Sequence, residues 1–571
     1  MAEYRQGRFL FFSATYYTIP DWLTHPVSGY RYDATKHWTE IADFSAMAGD
    51  IKYVWEKSRF AFLYPLIRYD FQIGEDMAEA IFGEIDGWID ANPINCGPNW
   101  RCSQEISLRV LNWTFALHYY KNSPSLTEER FHKINHLIYW QMRHVEANIN
   151  FSRIAVRNNH AITETLALYL VGLLYPYFPE SNRWKEKGKK WFEEEIAYQI
   201  DEDGTFLQFS MNYHRVVIQL LTWAIRLADL NSERFEEVVY ERAQKSLIFL
   251  KACQEEVTGW LPNYGNNDGA LFFPLNDAHF RDYRPQLSAL AAVLGEETEE
   301  VEDLFWYGFG QSSVGGWRAV GSKGLDTSYV GMTNETRTTN EAKPTTFSFP
   351  KGGYFTLKEA DSLTFIRCGA YKNRPFQADN LHLDIWVNGD NILRDAGSYL
   401  YNTDEKWVKY FAGTASHNTV MLGEYDQMQK GTRFIWYDWV KEASGSWQSQ
   451  PNLQFEGKIR AFDQVGKNSY HHRKVIKTVG KLEWVVEDWL KNAPQELPMH
   501  QIWHPSASFF EQFSIQAFNK EGHELNVAIG EGWYSGFYGV KEPVRRLTFT
   551  TNHRYIRTVI KQTTPSDSLT G

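Results

Sequence analysis

The spacing between apolar residues changes once along this chain, and that change limits the fold more than any other feature. Up to about residue 310 apolar positions recur at helical spacing, and after about residue 345 they alternate. Residues 103–120 predict one helix: Ile106, Val110, Leu111 and Trp113 fall at helical spacing, with Glu105 and Arg109 four apart. Residues 134–149, 191–200, 213–230 and 235–252 predict others, joined by short polar links such as Asp201-Glu202-Asp203-Gly204. Consecutive helices with short links form antiparallel hairpins, in either a bundle or a closed ring. Periodicity does not separate these two.

In the second half, residues 353–357 and 363–367 read as paired strands about Glu359-Ala360-Asp361. Residues 381–387 and 391–394 flank Asn388-Gly389, a pair that fits the type I′ hairpin turn. Residues 474–479 and 482–487 repeat the device about Gly480-Lys481, and 546–551 with 555–561 close the chain in the same style. Helices followed by strands predict two segregated domains, an all-α domain over 1–325 and an antiparallel β-sandwich over 326–571. The 571 residues are ample for both.

Four stretches carry chemistry. Asn158, Asn159 and His160 run straight into the apolar residues 166–174, which reads as a helix whose first turn bears two amides and an imidazole. Free N–H groups and the helix dipole make such a start hospitable to an anion. An ordinary Asn N-cap with a packed histidine explains the same residues. Residues 206–215 open another helix with Tyr213 and His214 in its first turn; a tyrosine near cations can give or take a proton, although one at a helix start is also common on surfaces. Residues 264–269, Tyr-Gly-Asn-Asn-Asp-Gly, form a turn-rich loop containing Asn267. Finally, Gln377, Asp395 and His417 offer oxygen and nitrogen donors that can converge on one cation, or else are solvated strand ends. Asp201, Glu202 and Asp203 read more simply as a solvated loop than as glycosidase carboxylates.

Composition narrows the partners. Aromatic residues make up 16% of the chain, with 22 Trp and 32 Tyr, an excess seen where proteins stack sugars. A formal net charge of −11 argues against nucleic acid but leaves room for an acidic polysaccharide held in a local cationic cleft. Cys96, Cys102, Cys253 and Cys368 show no metal-ligand spacing, and no apolar run reaches the length of a membrane span. The apolar part of the N-terminus is too short for a signal peptide. The expected location is therefore cytoplasmic, or periplasmic or secreted if a targeting segment has been removed.

Taken together, Asn-Asn-His before a helix, Ser-Met-Asn-Tyr-His opening another, Gln-Ala-Asp-Asn-Leu-His-Leu-Asp, Asp-Ala-Gly-Ser-Tyr and His-Asn-Thr-Val resemble the heparinase II/III-like polysaccharide lyases over about residues 100–490. The resemblance implies an incomplete (α/α) toroid joined to an antiparallel β-sandwich, and β-elimination on a uronic-acid polymer. It implies that Asn159 and His160 neutralise the uronate carboxylate and that Tyr213 handles the proton. It places one structural divalent metal at Gln377, Asp395 and His417, with zinc first and calcium or manganese as alternatives. Glu105, Arg109, Trp113, His214, Asn267, Arg374 and His382 are the expected substrate-cleft residues, although an ion pair and a core Trp explain the first three equally well.

Where many relatives have His-x-His-Ala-Asp, this chain has Pro375-Phe376-Gln377-Ala378-Asp379, so it lacks one histidine that serves some members as a base. Tyr213 is then expected to act as both base and acid, with replacement of the missing histidine by His214 or His382 as the alternative. The expected substrate carries glucuronate, as hyaluronan, chondroitin or a bacterial exopolysaccharide. Two other readings are a non-catalytic glycan-binding protein on a lyase scaffold and a toroid glycoside hydrolase.

Overall fold

The computed structural model describes residues 1–309, 343–372, 375–432, 435–449 and 452–563. The first half is helical. Its principal helices are α1 (Lys52–Ser58), α2 (Leu63–Ile73), α3 (Ala78–Ala91), α4 (Ser103–Tyr119), α5 (Glu128–Asn150), α6 (Asn159–Leu174), α7 (Ser181–Gln199), α8 (Met211–Leu230), α9 (Glu237–Cys253) and α10 (Arg284–Val293). The five helices expected from periodicity are present, three of them extended at the N-terminal end. The first three had not been picked out individually. Of these, α1 is only seven residues long.

The central helix is α6. It is apolar all round, and residues from Ala161 to Gly172 are buried without interruption, as expected for a helix enclosed by others. Its neighbour α7 comes unusually close because both helices place glycine at the contact. A Cβ on Gly188 would lie 2.3 Å from the Tyr169 backbone nitrogen, and one on Gly172 would lie 2.4 Å from that of Lys185. The array is the helical toroid expected, with its core running through Leu166, Tyr169, Phe192, Ile196, Val216 and Leu220.

Among the described residues, the second half contains three antiparallel sheets of four or more strands. The first is a meander of β1 (Thr345–Phe349), β2 (Tyr354–Lys358), β3 (Ser362–Arg367), β4 (Leu383–Val387) and β5 (Asp390–Leu393). Asn388 and Gly389 both take positive φ, 48° and 88°, as the type I′ turn requires. A four-stranded sheet has the order β6-β11-β15-β14, from β6 (Val420–Leu422), β11 (Met499–Trp503), β14 (Val527–Phe537) and β15 (Val540–Thr551). The seven-stranded sheet runs β7-β8-β9-β10-β16-β12-β13, from β7 (Ala443–Gln448), β8 (Leu453–Arg460), β9 (Tyr470–Lys477), β10 (Glu483–Lys491), β12 (Phe513–Phe518), β13 (Glu524–Leu525) and β16 (Tyr555–Gln562). The expected pairing of the last two strands is not found: β15 belongs to the four-stranded sheet and β16 to the seven-stranded one.

Burial explains how the halves join. Strands β8, β9 and β10 alternate buried and partly exposed positions, so one face is wetted. Strands β3 and β4 are buried on both faces. One side of their sheet meets the seven-stranded sheet, where the Phe355 and Phe455 rings lie 4.9 Å apart. The other meets the helices, with Tyr354 5.0 Å from Phe249 and Phe365 5.6 Å from Tyr264. Asp203, in the acidic loop, accepts the Lys351 backbone N–H at 2.7 Å and so ties the two halves together. The expected boundary at residue 325 lies outside the described residues.

Candidate active site

The start of α6 is built by local rules. A π-helical turn, Phe151–Val156, ends at Arg157 with φ 46°, and the extended Asn158 then caps the new helix by accepting the His160 N–H at 3.0 Å. The capping reading is therefore right for Asn158, and His160 comes within electrostatic reach of Glu105, Lys52, Asp268 and Arg59 at the junction. Asn159 is buried, its N–H held by Gln208 Oε1 at 2.9 Å. His160 is only partly covered, with Nδ1 4.0 Å from Cys102 Sγ. Burial, opposed by Glu105 and assisted by Lys52, lowers its pKa to about 4, so the ring is neutral at pH 7. A neutral imidazole at a helix start donates a hydrogen bond without carrying charge.

Tyr213 enters from the first turn of α8, capped by Ser210 Oγ on the Tyr213 N–H at 3.0 Å. Its hydroxyl lies 3.2 Å from Asp268 Oδ2 and 2.7 Å from the Tyr401 hydroxyl, which belongs to the β half. Asp268 Oδ2 in turn receives Lys52 Nζ at 2.9 Å, and that ammonium sits 4.4 Å from the centre of the Tyr401 ring. Burial works to raise the Asp268 pKa, but Lys52 and Arg59 outweigh it and hold the carboxylate below its usual range. Burial, then the Asp268 charge, push the Tyr213 phenol well above its ordinary value; burial, then Tyr213, do the same for Tyr401. Beside this group, Glu105 forms a two-point ion pair with Arg59 at 2.8 and 2.9 Å, and Arg59 also reaches Glu56 at 2.9 Å.

Several expected cleft residues lie elsewhere. Arg109 is fully buried; it donates to Gln141 Oε1 (2.7 Å), the Asn99 carbonyl (2.9 Å) and the Ser58 carbonyl (3.1 Å), so its donors serve the core. The ion pair expected between Glu105 and Arg109 is replaced by that between Glu105 and Arg59. Trp113 packs edge-on against Trp88 and Phe60 at 5.3 and 5.4 Å and is a core residue. His214 faces away from Tyr213, bonded to Ser246 Oγ at 3.0 Å and stacked on Phe249. Consecutive residues of a helix diverge by about 100°, which is why Tyr213 and His214 cannot share a site. Asn267 shapes its own loop: its side chain accepts the Gly269 N–H at 2.9 Å and its N–H reaches Ser398 Oγ at 2.9 Å. Arg374 lies outside the described residues.

The β half holds a buried polar cluster. His417 Nδ1 meets Asp395 Oδ2 at 2.8 Å, and Asp395 Oδ1 accepts the Gly397 N–H at 2.7 Å. His382 is completely buried, so it is no cleft residue; its Nε2 lies 3.6 Å from Asp384 and 3.7 Å from Asp395. His382, Asp395 and His417 present ligand atoms within 4.8 Å of one another. Gln377 is buried beside them, its amide NH2 on the Phe411 carbonyl at 3.1 Å. The Gln377 Oε1 and His417 Nε2 atoms are buried without a hydrogen-bond partner, an arrangement that fits a bound cation. His382 is the weakest ligand of the group, because its Nδ1 already accepts the Asn418 N–H at 3.0 Å and the neutral ring then carries its proton on Nε2.

Three residues of the junction were not singled out from sequence. Asp268 sat in the turn-rich loop next to the residue chosen. Tyr401 follows the Asp-Ala-Gly-Ser-Tyr motif by two positions. Lys52, on the short helix α1, carried no signal at all.

Comparison with known proteins bears on the family and the fold. Residues 10–252 match the heparinase II/III N-terminus model and residues 341–564 the heparinase II/III-like C-terminal model. A heparin-sulfate lyase of Bacteroides stercoris is 23% identical over 91% of this chain and 72% of its own length. One of Bacteroides thetaiotaomicron is 23% identical over 70% of this chain and 54% of its own length. Among solved structures, a heparinase III superposes with a TM-score of 0.65 at 17% identity, covering 95% of this chain and 80% of that one. A heparan sulfate lyase of Pedobacter heparinus gives 0.57 at 16% identity, over 98% and 82%. The toroid, the sandwich and both family models agree: the chain belongs to the heparinase II/III-like family of polysaccharide lyases.

Proposed function

We propose that the protein cleaves a glucuronate-bearing glycosaminoglycan by β-elimination at the junction of its two halves. The observation that carries this reading is the meeting of Tyr213 with the Asp268–Lys52 pair and Tyr401, beside a neutral His160 at the α6 start. The proton α to a uronate carboxylate is hardly acidic while that carboxylate keeps its full charge. Donors aimed at the carboxylate let charge flow onto it as the proton leaves. The Asn159 amide and the His160 ring have the chemistry for this task, and Tyr213 is the base that takes the C5 proton.

Elimination then expels the 4-linked sugar and leaves a C4=C5 double bond. Without a histidine at position 375, base and acid both act from the side of Tyr213. That requires the C5 proton and O4 on one face of the ring, as in D-glucuronate and not in L-iduronate. Hyaluronan and chondroitin satisfy this, and so do the glucuronate units of heparan sulfate. The last heads the candidates because curated relatives bear the name heparin-sulfate lyase. We assign one structural divalent cation to Asp395, His417 and Gln377, zinc first, with manganese or calcium served by the same oxygen and nitrogen donors. Such an ion would cross-link the strand ends that carry Tyr401 toward the helices.

The test is a panel of heparan sulfate, hyaluronan, chondroitin and glucuronate exopolysaccharides, followed by near-ultraviolet absorbance. An unsaturated uronate absorbs there, whereas the products of hydrolysis and a merely bound glycan do not. Reducing ends released without that absorbance would identify a hydrolase.

A further inference from the structure

Pro375 leaves the β half without the histidine that serves some relatives as a second base, and the structure supplies another proton-bearing group from that half. We propose that Tyr401 is the general acid of the elimination, protonating O4 of the departing sugar while Tyr213 acts as the base. This rests on the lyase reading above. The geometry supports it in three ways.

First, the two phenol oxygens are 2.7 Å apart. The C5 proton and O4 belong to neighbouring ring atoms, so two oxygens at that spacing can address both from one face. Second, the two oxygens differ in their charged neighbours: the Asp268 carboxylate, 3.2 Å from the Tyr213 hydroxyl, raises the affinity of that oxygen for a proton, as a base that takes one from C5 requires. Third, the Lys52 ammonium, 4.4 Å from the Tyr401 ring centre, opposes the cost of negative charge on that ring. The other candidates fail on position: His214 and His382 are fully enclosed and bonded within their own domains.

The reactive form is the phenol pair short of one proton, which the two oxygens share. Tyr213 takes the C5 proton as the C5–H bond breaks. The released electron pair forms C4=C5, the C4–O4 bond breaks, and Tyr401 gives its proton to O4. Tyr401 then recovers a proton from Tyr213 across their hydrogen bond. The pair ends as it began, and the C5 proton has been exchanged for one on O4.

The experiment uses Tyr401→Phe, which keeps the ring against Tyr538 and Lys52. Each enzyme is assayed on the glucuronate polymer and on a small 4-deoxy-4-fluoro-glucuronide, whose fluoride leaves without being protonated. The polymer-to-fluoride rate ratio within one preparation does not depend on the fraction folded. We expect this ratio to fall by roughly 100-fold in Tyr401→Phe, the usual contribution of a general acid. In Tyr213→Phe both rates should fall together. An unchanged ratio in Tyr401→Phe overturns the assignment, whether or not total activity drops. If the wild type releases no unsaturated product from any polymer or from the fluoride, the lyase reading itself falls, and the proposal with it.

Discussion

His160 meets its neighbours as a neutral ring because burial outweighs the nearby carboxylates, and this protonation state sets what it can contribute. A neutral donor gains most when charge moves onto the substrate carboxylate, that is, in the transition state. Asn159→Ala and His160→Ala should therefore lower kcat by about 100-fold or more with KM little changed. A raised KM at unaltered kcat would reduce either residue to ground-state binding. A second buried group has a different fate. Glu164 lies one turn further along α6, and burial lifts its pKa to about 8 despite the Ser152 hydroxyl at 2.6 Å. An acid whose folded pKa exceeds its unfolded value favours the fold fully only below the unfolded pKa of 4.5, and that advantage is lost as pH rises toward 8. Glu164→Gln should thus raise stability at pH 7 by up to about 3 kcal/mol and leave it unchanged at pH 4. Thermal melts at the two pH values check this; an equal shift at both would mean that the carboxyl is not protonated in the fold.

Among the elements, α4 to α9 and the meander β1 to β5 were legible because each carries enough residues to show its period. The Asn388-Gly389 turn was legible from two residues, since few sequences satisfy two positive φ angles at once. Helix α1 was not, being seven residues long, barely two turns in which to show a period. Lys52 went unseen with it. The Glu105 partner was missed for a related reason. Spacing of four suggests a partner on the same helix, whereas Arg59 comes from the end of α1. Sequence spacing registers neighbours along an element and is silent about neighbours across it. The same limit applies to the metal cluster, where the family pattern named Asp395, His417 and Gln377 but not the buried His382 beside them. Metal analysis of protein purified without chelator should find about one divalent ion per chain, a stoichiometry that follows from the one donor cluster among the described residues. Asp395→Asn should abolish it and lower the thermal midpoint. Trace metal in the wild type would contradict the assignment.

At the scale of the molecule, neither half holds the site by itself. The helices supply Asn159, His160, Tyr213, Asp268 and Lys52, and the β half supplies Tyr401. Strands β3 and β4, buried on both faces, fix one against the other. An arrangement with base and acid on one side predicts a preference between epimers. Chondroitin should be cleaved at least about tenfold faster than size-matched dermatan, since iduronate presents its C5 proton on the face opposite Tyr213. Equal initial rates would require a second base across the ring.

The central claim is that Tyr213 performs the proton transfer of a β-elimination, and one comparison tests it most directly. Wild-type protein and Tyr213→Phe, matched in thermal midpoint, are given the best glucuronate polymer of the panel and followed by the absorbance of the unsaturated product. The account predicts product from the wild type and a kcat lower by roughly 100-fold or more in the variant. A folded Tyr213→Phe that turns over at the wild-type rate would contradict it.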